Sequence, residues 1–412
     1  MIKTVQNFRK SIHPLSFDLA CGITAALAFS LFIYLEHFGL TYRFANTLSA
    51  LFALALFLYM PKRAVLIAGF FIGLLWFYWI GYSFKYNGVG WMSPIVTFGF
   101  AIIYMLFFGI LAFTDKVYIR ALLLFALSFF EPFDFNWLQI ELVFVESYIG
   151  VFKYQLALVL LALTLPNYLK KTFRYLPLFL ILFALEFHPS AAKDAPLKIK
   201  LVSTDVKQEH KWLRESLEPA VLMVFEEIQK AIREHYELVV LPESVLPMFL
   251  NHNPMIIEEL AKYSHDISIV VGALLYEDEQ NFNVSYIFEN GEYTIAKKVV
   301  LVPFGEYIPL PKFAQKIIND IFFAGQSDFI QAKTPTDFTL KGVKFRNAIC
   351  YEATCQEIYE GDVNFVIAIS NNAWFAPSIE PTLQKLLMRY YGRKNGVTIY
   401  HSANWRGSGV VK

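Results

Sequence analysis

Three side chains define the chemistry to be tested. Cys350, in the run Asn347-Ala348-Ile349-Cys350-Tyr351-Glu352, closes a β-type apolar run and opens an acidic turn, a natural place for a nucleophile. Upstream, Glu243 (in VVLPES) and Lys298 (in KKVVLVPFGEY) also border apolar runs. A thiol of ordinary pKa about 8.5 is only a few per cent thiolate at neutral pH, so a working cysteine needs a base or a cation beside it. Glu243 would take the thiol proton, Cys350 would attack an acyl carbonyl, and Lys298 with backbone N–H groups would stabilise the oxyanion. Each residue also has a plainer reading: Cys350 as a buried structural thiol, Glu243 as an acid at a helix entry, Lys298 as a solvated lysine. Spacing alone leaves both readings open.

The remaining composition narrows the chemistry. Cysteines at 21, 350 and 355 are too few for a disulfide scaffold, and no CxxC or clustered Cys/His spacing points to a metal, so neither metal nor cofactor is expected. Pairing of Cys350 with Cys355 would consume the nucleophile. No GxSxG is present, which disfavours a Ser-His-Asp hydrolase. The net charge is +1 and no basic stripe follows residue 190, so no nucleic-acid partner is expected.

The elements that must position these residues fall into two textures. The 412 residues are 56% hydrophobic and 17% aromatic, with a mean hydropathy of +0.43, and most of the apolar excess precedes residue 190. Apolar segments at 17–35, 44–60, 64–84, 91–113, 117–130, 148–165 and 175–187 predict about seven helices. Several reach the ~20 residues that cross ~30 Å of hydrocarbon, while the fifth and seventh are short. The first is long and lacks a small-residue cleavage site, so it is expected to stay in the mature protein. Lys3, Arg9 and Lys10, then Lys62 and Arg63, Lys116 and Arg120, and Lys170, Lys171 and Arg174 all fall on one side. The positive-inside rule makes that side cytoplasmic, and an odd number of spans places the second half outside. Segment 131–147 mixes Trp137 and phenylalanines with four acids, as an aromatic belt at a helix end or a re-entrant lipid-access wall would. The spans hold few ionisable residues, against a transporter or sensor.

After a linker at 189–196, runs at 197–202, 238–241, 267–275, 283–288, 345–350, 365–370 and 397–401 read as strands. Helical patterns at 213–236 and 381–394 lie among them; in the first, Val221, Phe225, Ile228 and Ile232 recur near the 3.6 period. Alternating strands and helices predict a layered α/β domain.

The second half resembles the nitrilase superfamily, whose Glu-Lys-Cys triad occurs in this chain order, with the acid in a Pro-Glu motif and the thiol in Cys-Tyr-Glu. Here these are Pro242-Glu243, Lys298 and Cys350-Tyr351-Glu352. More narrowly, LVPFGEYIPL (301–310), QEHKW (208–212) and SNNAWF (370–375) resemble the apolipoprotein N-acyltransferase family.

That resemblance implies a multi-span α-helical membrane domain at 1–188 and a nitrilase-like αββα sandwich at 197–412. It implies residence in the bacterial inner membrane with the catalytic domain in the periplasm, as a monomer. The implied reaction moves an acyl chain from a phospholipid to Cys350 as a thioester. The chain then passes to the N-terminal α-amino group of a diacylglyceryl-modified apolipoprotein. By residue, Glu243 matches the family's base, Lys298 its lysine, Cys350 its nucleophile and Glu306 a further acid near the lysine; Tyr351, Glu352 and Trp212 match supporting or substrate-binding positions. Residues 321–323 or Trp374-Phe375 would form a lid, or simply pack in the core. Moving a sixteen-carbon chain wholly into water would cost on the order of 10 kcal/mol at ~0.8 kcal/mol per CH₂, so such a site must meet lipid at an interface. The family usually continues beyond the strand matching 403–409, whereas this chain ends at Lys412 and has Asn404-Trp405-Arg406-Gly407 where Asn-Asn-Gly or Asn-Thr-Gly is usual. A C-terminus short for the family is therefore expected. The alternatives are an inactive truncated member and a membrane-tethered nitrilase or amidase that hydrolyses a small amide.

Overall fold

A computed structural model describes residues 14–86, 88–187, 192–303, 306 and 329–412. The chain divides into two compact units, Met1–Lys85 with Gly90–Pro189 and Tyr86–Val89 with Ser190–Lys412. Lys3, Arg9 and Lys10, part of the linker and residues 321–323 lie outside the described residues.

Apolar helices build the first unit. Pro14–His37, Lys62–Lys85 and Gly90–Phe113, each 24 residues, are long and apolar enough to cross a membrane, and Arg43–Tyr59 is an apolar helix just below that length. The later apolar segments hold shorter regular helices than the first ones do. Helices Val117–Leu127, Lys153–Thr164 and Leu180–Ala184 have only 11, 12 and 5 residues. At 1.5 Å per residue the longest of these regular α-helical stretches covers about 18 Å. Apolarity fixed the places of these helices but not their lengths, because several run out into 3₁₀ turns at 165–167 and 176–179.

Small residues bring the long helices together. A Cβ on Gly69 would lie 2.6 Å from the Tyr104 carbonyl oxygen and one on Gly73 2.7 Å from the Ala101 Cα, so this Gly-x-x-x-Gly pair lets two backbones touch. Phe57 stacks on Phe108 at 4.8 Å between centroids, and the Trp76 indole donates to Ser30 Oγ at 2.9 Å. Segment 131–147 proves to be irregular backbone with a buried interior: Trp137 and residues 140–145 are buried, and Glu141 pairs with Lys153 at 2.6 Å. Some of the polar groups in and beside it are satisfied inside the protein, as when Asn46 Nδ2 donates to the Glu146 carbonyl and Tyr148 N–H to Thr47 Oγ1. Trp137 faces this interior, whereas Phe133 is exposed.

Two five-stranded sheets form the second unit. One has the order β1 (Ile199–Leu201), β2 (Leu238–Val240), β3 (Ser268–Glu277), β4 (Gln280–Glu289), β5 (Glu292–Lys297). The other runs β10 (Gly409–Val411), β9 (Thr398–Asn404), β8 (Phe365–Asn371), β7 (Val343–Ile349), β6 (Asp337–Leu340). β1 to β3 are parallel, as are β7 to β9, and antiparallel strands extend each sheet. Side chains alternate across each strand. Leu238 and Val240 of β2 therefore join Ile349, Ile367 and Tyr400 in the core between the sheets, while Val239 meets Val224 and Ile228 of helix Leu217–Arg233 outside. Helix Pro254–Tyr263 covers the same outer face, and helix Glu380–Asn395 packs on β9 and β10. The result is the expected αββα sandwich.

Candidate active site

Parallel strands leave their C-terminal ends on one rim, and the side chains that matter sit there. Glu243 follows β2, Cys350 follows β7, and Asn371 and Asn404 close β8 and β9. Cys350 adopts φ +58°, a left-handed conformation that costs a non-glycine residue on the order of 1 kcal/mol. Glu352, two residues on, holds that turn. Its Oε1 accepts the Ile349 N–H at 2.5 Å, while Oε2 accepts the N–H groups of Val299 at 2.8 Å and Val300 at 3.2 Å. One carboxylate thus ties the cysteine turn to the residues that follow Lys298. Burial pushes Glu352 up to about 7, and those N–H donors and Lys298 pull against it.

Glu243 is buried and clamped. Asn283 Nδ2 donates to Oε1 at 2.7 Å and the Asn371 N–H to Oε2 at 2.8 Å. The Pro242-Glu243 turn lies so close to β3 that a Cβ on Gly272 would be 2.6 Å from the Pro242 carbonyl and 2.7 Å from the Glu243 Cα. Beneath it, Lys211 Nζ donates to the Glu243 carbonyl at 3.0 Å, and burial, opposed by Glu243, lowers this amine to about 8. Asn371 links onward, donating to Gln208 Oε1 at 2.9 Å and accepting from Asn404 Nδ2 at 2.8 Å.

Lys298 is 1% exposed, and its Nζ lies 2.8 Å from each oxygen of Glu306. Burial pulls its pKa down, but the carboxylates of Glu306 and Glu243 more than reverse this, so the amine stays an ammonium. Glu306 is itself pinned by the Val302 N–H at 2.8 Å. Cys350 keeps some accessible surface, yet burial first and the Glu243 charge second push its thiol well up, against the pull of Lys298. Its resting form is the neutral thiol. Attack therefore requires a base at the moment of reaction, and Glu243 is the carboxylate whose charge the sulfur feels most.

The sequence-predicted residues Glu243, Lys298, Cys350, Glu306 and Glu352 come together in this one site. Tyr351 is buried behind the turn, where its carbonyl accepts from Thr354 Oγ1 and Cys355 Sγ. Trp212 lies at the surface, 43% exposed, next to the buried Lys211. Trp374 sits in the turn Asn372–Phe375, its ring 5.5 Å from that of Tyr86. Cys350 and Cys355 are not joined in a disulfide. Sequence reasoning missed Lys211, Asn283 and Asn371 as parts of the site. The signal was present for the two asparagines, each a polar residue inside a buried apolar strand.

Two family models cover the chain. Residues 16–187 match the apolipoprotein N-acyltransferase integral membrane domain, and residues 204–410 match carbon-nitrogen hydrolase. The chain is 40% identical over 396 residues to an apolipoprotein N-acyltransferase of Wolinella succinogenes, covering 96% of each. It is 37% identical to one of Helicobacter hepaticus, over 89% of this chain and 93% of that protein. It is 36% identical to one of Helicobacter pylori, over 89% and 87%. Among solved structures, a carbon-nitrogen hydrolase superfamily protein from Xanthomonas campestris matches 50% of this chain and 76% of its own, with 14% identity and a TM-score of 0.39. An amidase from Nesterenkonia sp. matches 53% and 80%, with 15% identity and a TM-score of 0.38.

Proposed function

This chain belongs to the apolipoprotein N-acyltransferase family, an integral membrane acyltransferase, and we propose that Glu243, Lys298 and Cys350 carry its reaction. The observation that bears most weight is the grouping at one rim of the Cys350 thiol, a Glu243 carboxylate clamped by two donors, and Lys298 paired with Glu306. In the first half-reaction Glu243 takes the Cys350 proton as the sulfur attacks the ester carbonyl of a phospholipid. The C–O bond breaks, and Glu243 returns the proton to the leaving glyceryl oxygen, leaving a thioester and a lysophospholipid. Lys298 stabilises the oxyanion in both directions. In the second half-reaction the α-amino group of a diacylglyceryl-modified apolipoprotein attacks the thioester, the C–S bond breaks, and the amine proton travels through Glu243 to the sulfur. Glu352 and Tyr351 hold the nucleophile turn, and Trp212, next to the buried Lys211, offers an exposed apolar face to substrate.

The same reading puts the protein in a bacterial inner membrane with the site in the periplasm and the enzyme a monomer. The grouping of Lys62, Arg63, Lys116, Arg120, Lys170, Lys171 and Arg174 supports that orientation. Intact-protein mass after incubation with phospholipid alone tests the chemistry. The expected gain is one acyl group, lost on addition of a diacylglyceryl peptide and absent in Cys350→Ser. N-acylation of the peptide at normal rate by Cys350→Ser would sink the mechanism, and release of free fatty acid instead of acyl-peptide would favour the amidase-like alternative.

A further inference from the structure

Glu380 opens helix Glu380–Asn395, which packs against the turn that carries Cys350. It is 1% exposed, and its Oε2 is buried with no hydrogen-bond partner among the described residues. Every other carboxylate near the thiol is spoken for. Glu243 has two donors, Glu306 has Lys298 and the Val302 N–H, and Glu352 has three N–H groups. A buried carboxyl without a donor is costly, so its retention beside a reactive centre points to a partner that arrives with substrate.

We propose that Glu380 is a catalytic residue of the second half-reaction that receives the acceptor's α-ammonium and removes its extra proton before transfer. The inference rests on the acyl-transfer reading above. Burial and the neighbouring Glu243 charge keep the free Glu380 carboxyl neutral. When the ammonium docks, Glu380 gives its own proton to solvent and pairs with the cation as a carboxylate. It then takes one proton from the ammonium, returning to the neutral acid. The free amine attacks the Cys350 thioester, and its second proton passes through Glu243 to the departing sulfur. Ammonium plus thioester thus gives amide, thiol and one proton released to solvent, so charge and atoms balance. The positive start of the helix, pointing at the carboxylate form, lowers the barrier to the first step.

Glu380→Gln keeps the shape and the resting charge, so the sheets should assemble unchanged. Its acyl-enzyme should form from phospholipid at the wild-type rate, since that step uses no ammonium. Transfer to a diacylglyceryl peptide should then depend on the fraction of amine that arrives neutral. With an α-amino pKa of about 7.8, transfer should be roughly 20-fold slower than wild type at pH 6.5 and within about twofold at pH 9. Hydroxylamine, neutral at pH 7, should discharge both acyl-enzymes equally fast. A loss of thioester formation in step with transfer overturns the role, as does wild-type transfer at pH 6.5, a defect that does not change with pH, or slow discharge by hydroxylamine. A wild-type protein that gains no acyl mass from phospholipid overturns the acyl-transfer reading itself, and the role with it.

Discussion

At the scale of single residues, the site works by opposition between burial and charge. Burial works against the Lys298 ammonium, and Glu306, whose two oxygens meet it at 2.8 Å, is the strongest of the charges that hold its proton. Glu306→Gln removes that charge and leaves burial unopposed except by Glu243. Thioester formation from phospholipid should fall by about 10²-fold, the size expected when one preorganised stabiliser of an oxyanion is lost, with little change in helix content. Acyl-enzyme formed at wild-type rate by this variant would show that Glu306 merely braces its loop. The sequence made Cys350, Glu243, Lys298, Glu306 and Glu352 legible because family motifs surround each of them. Glu380 was invisible for a physical reason: a glutamate before Pro381 at a helix start is what the helix dipole favours on any exposed surface. Only its burial separates it from that ordinary role.

At the scale of elements, the acid turn after β2 depends on a glycine across from it. Gly272→Ala would push a methyl group against the Pro242 carbonyl, and neighbouring backbone cannot swing aside. The expected outcome is loss of at least about tenfold in thioester formation, with a drop of roughly 1–3 kcal/mol in stability from overpacking. Unchanged acylation by Gly272→Ala would mean that the turn tolerates displacement. β8 and β9 are joined by a second device. His401 bonds Ser370 Oγ at 2.8 Å through Nε2 and the Gly407 carbonyl at 2.9 Å through Nδ1. Burial lowers His401 to about 4, against the pull of the Gly407 carbonyl. An unfolded histidine near 6.5 binds protons more readily, so this contribution is complete above pH 6.5 and is lost as pH falls through 4, roughly 3 kcal/mol at ~1.4 kcal/mol per unit. A melting profile of His401→Gln should therefore be flatter over that range than wild type; parallel profiles would remove His401 from the account.

Strands with continuous Val, Ile and Leu were read correctly from sequence, within a few residues at each end. β5, β6 and β10 were not. β5 reads Glu-Tyr-Thr-Ile-Ala-Lys and shows half its face to solvent, while β6 and β10 have four and three residues, too short for an alternation to stand out. Their partners in the sheet, not their own composition, make them strands.

At the scale of the whole molecule, two units with separate cores share one chain. Orientation can be read chemically in a background lacking Cys21, Cys350 and Cys355. Met255 is 81% exposed in the second unit, and Met255→Cys should react with a membrane-impermeant maleimide added to intact spheroplasts. Lys116→Cys, among the basic groups, should react only after permeabilisation. The opposite pattern would reverse the proposed topology.

The carboxylate of Glu352 reaches both ends of the site, from the Ile349 N–H beside the nucleophile to the Val299 and Val300 N–H groups beside Lys298. The base and the lysine hang from the first sheet, and the thiol hangs from the second. In the proposed topology and mechanism, a chain leaving the translocon in order from residue 197 would present the base and the lysine before the thiol joins them. In the proposed mechanism Cys350 gains its base and its ammonium only when the two sheets meet. Glu352, bonded to N–H groups on both sides of that seam, would then tie nucleophile and lysine into one site.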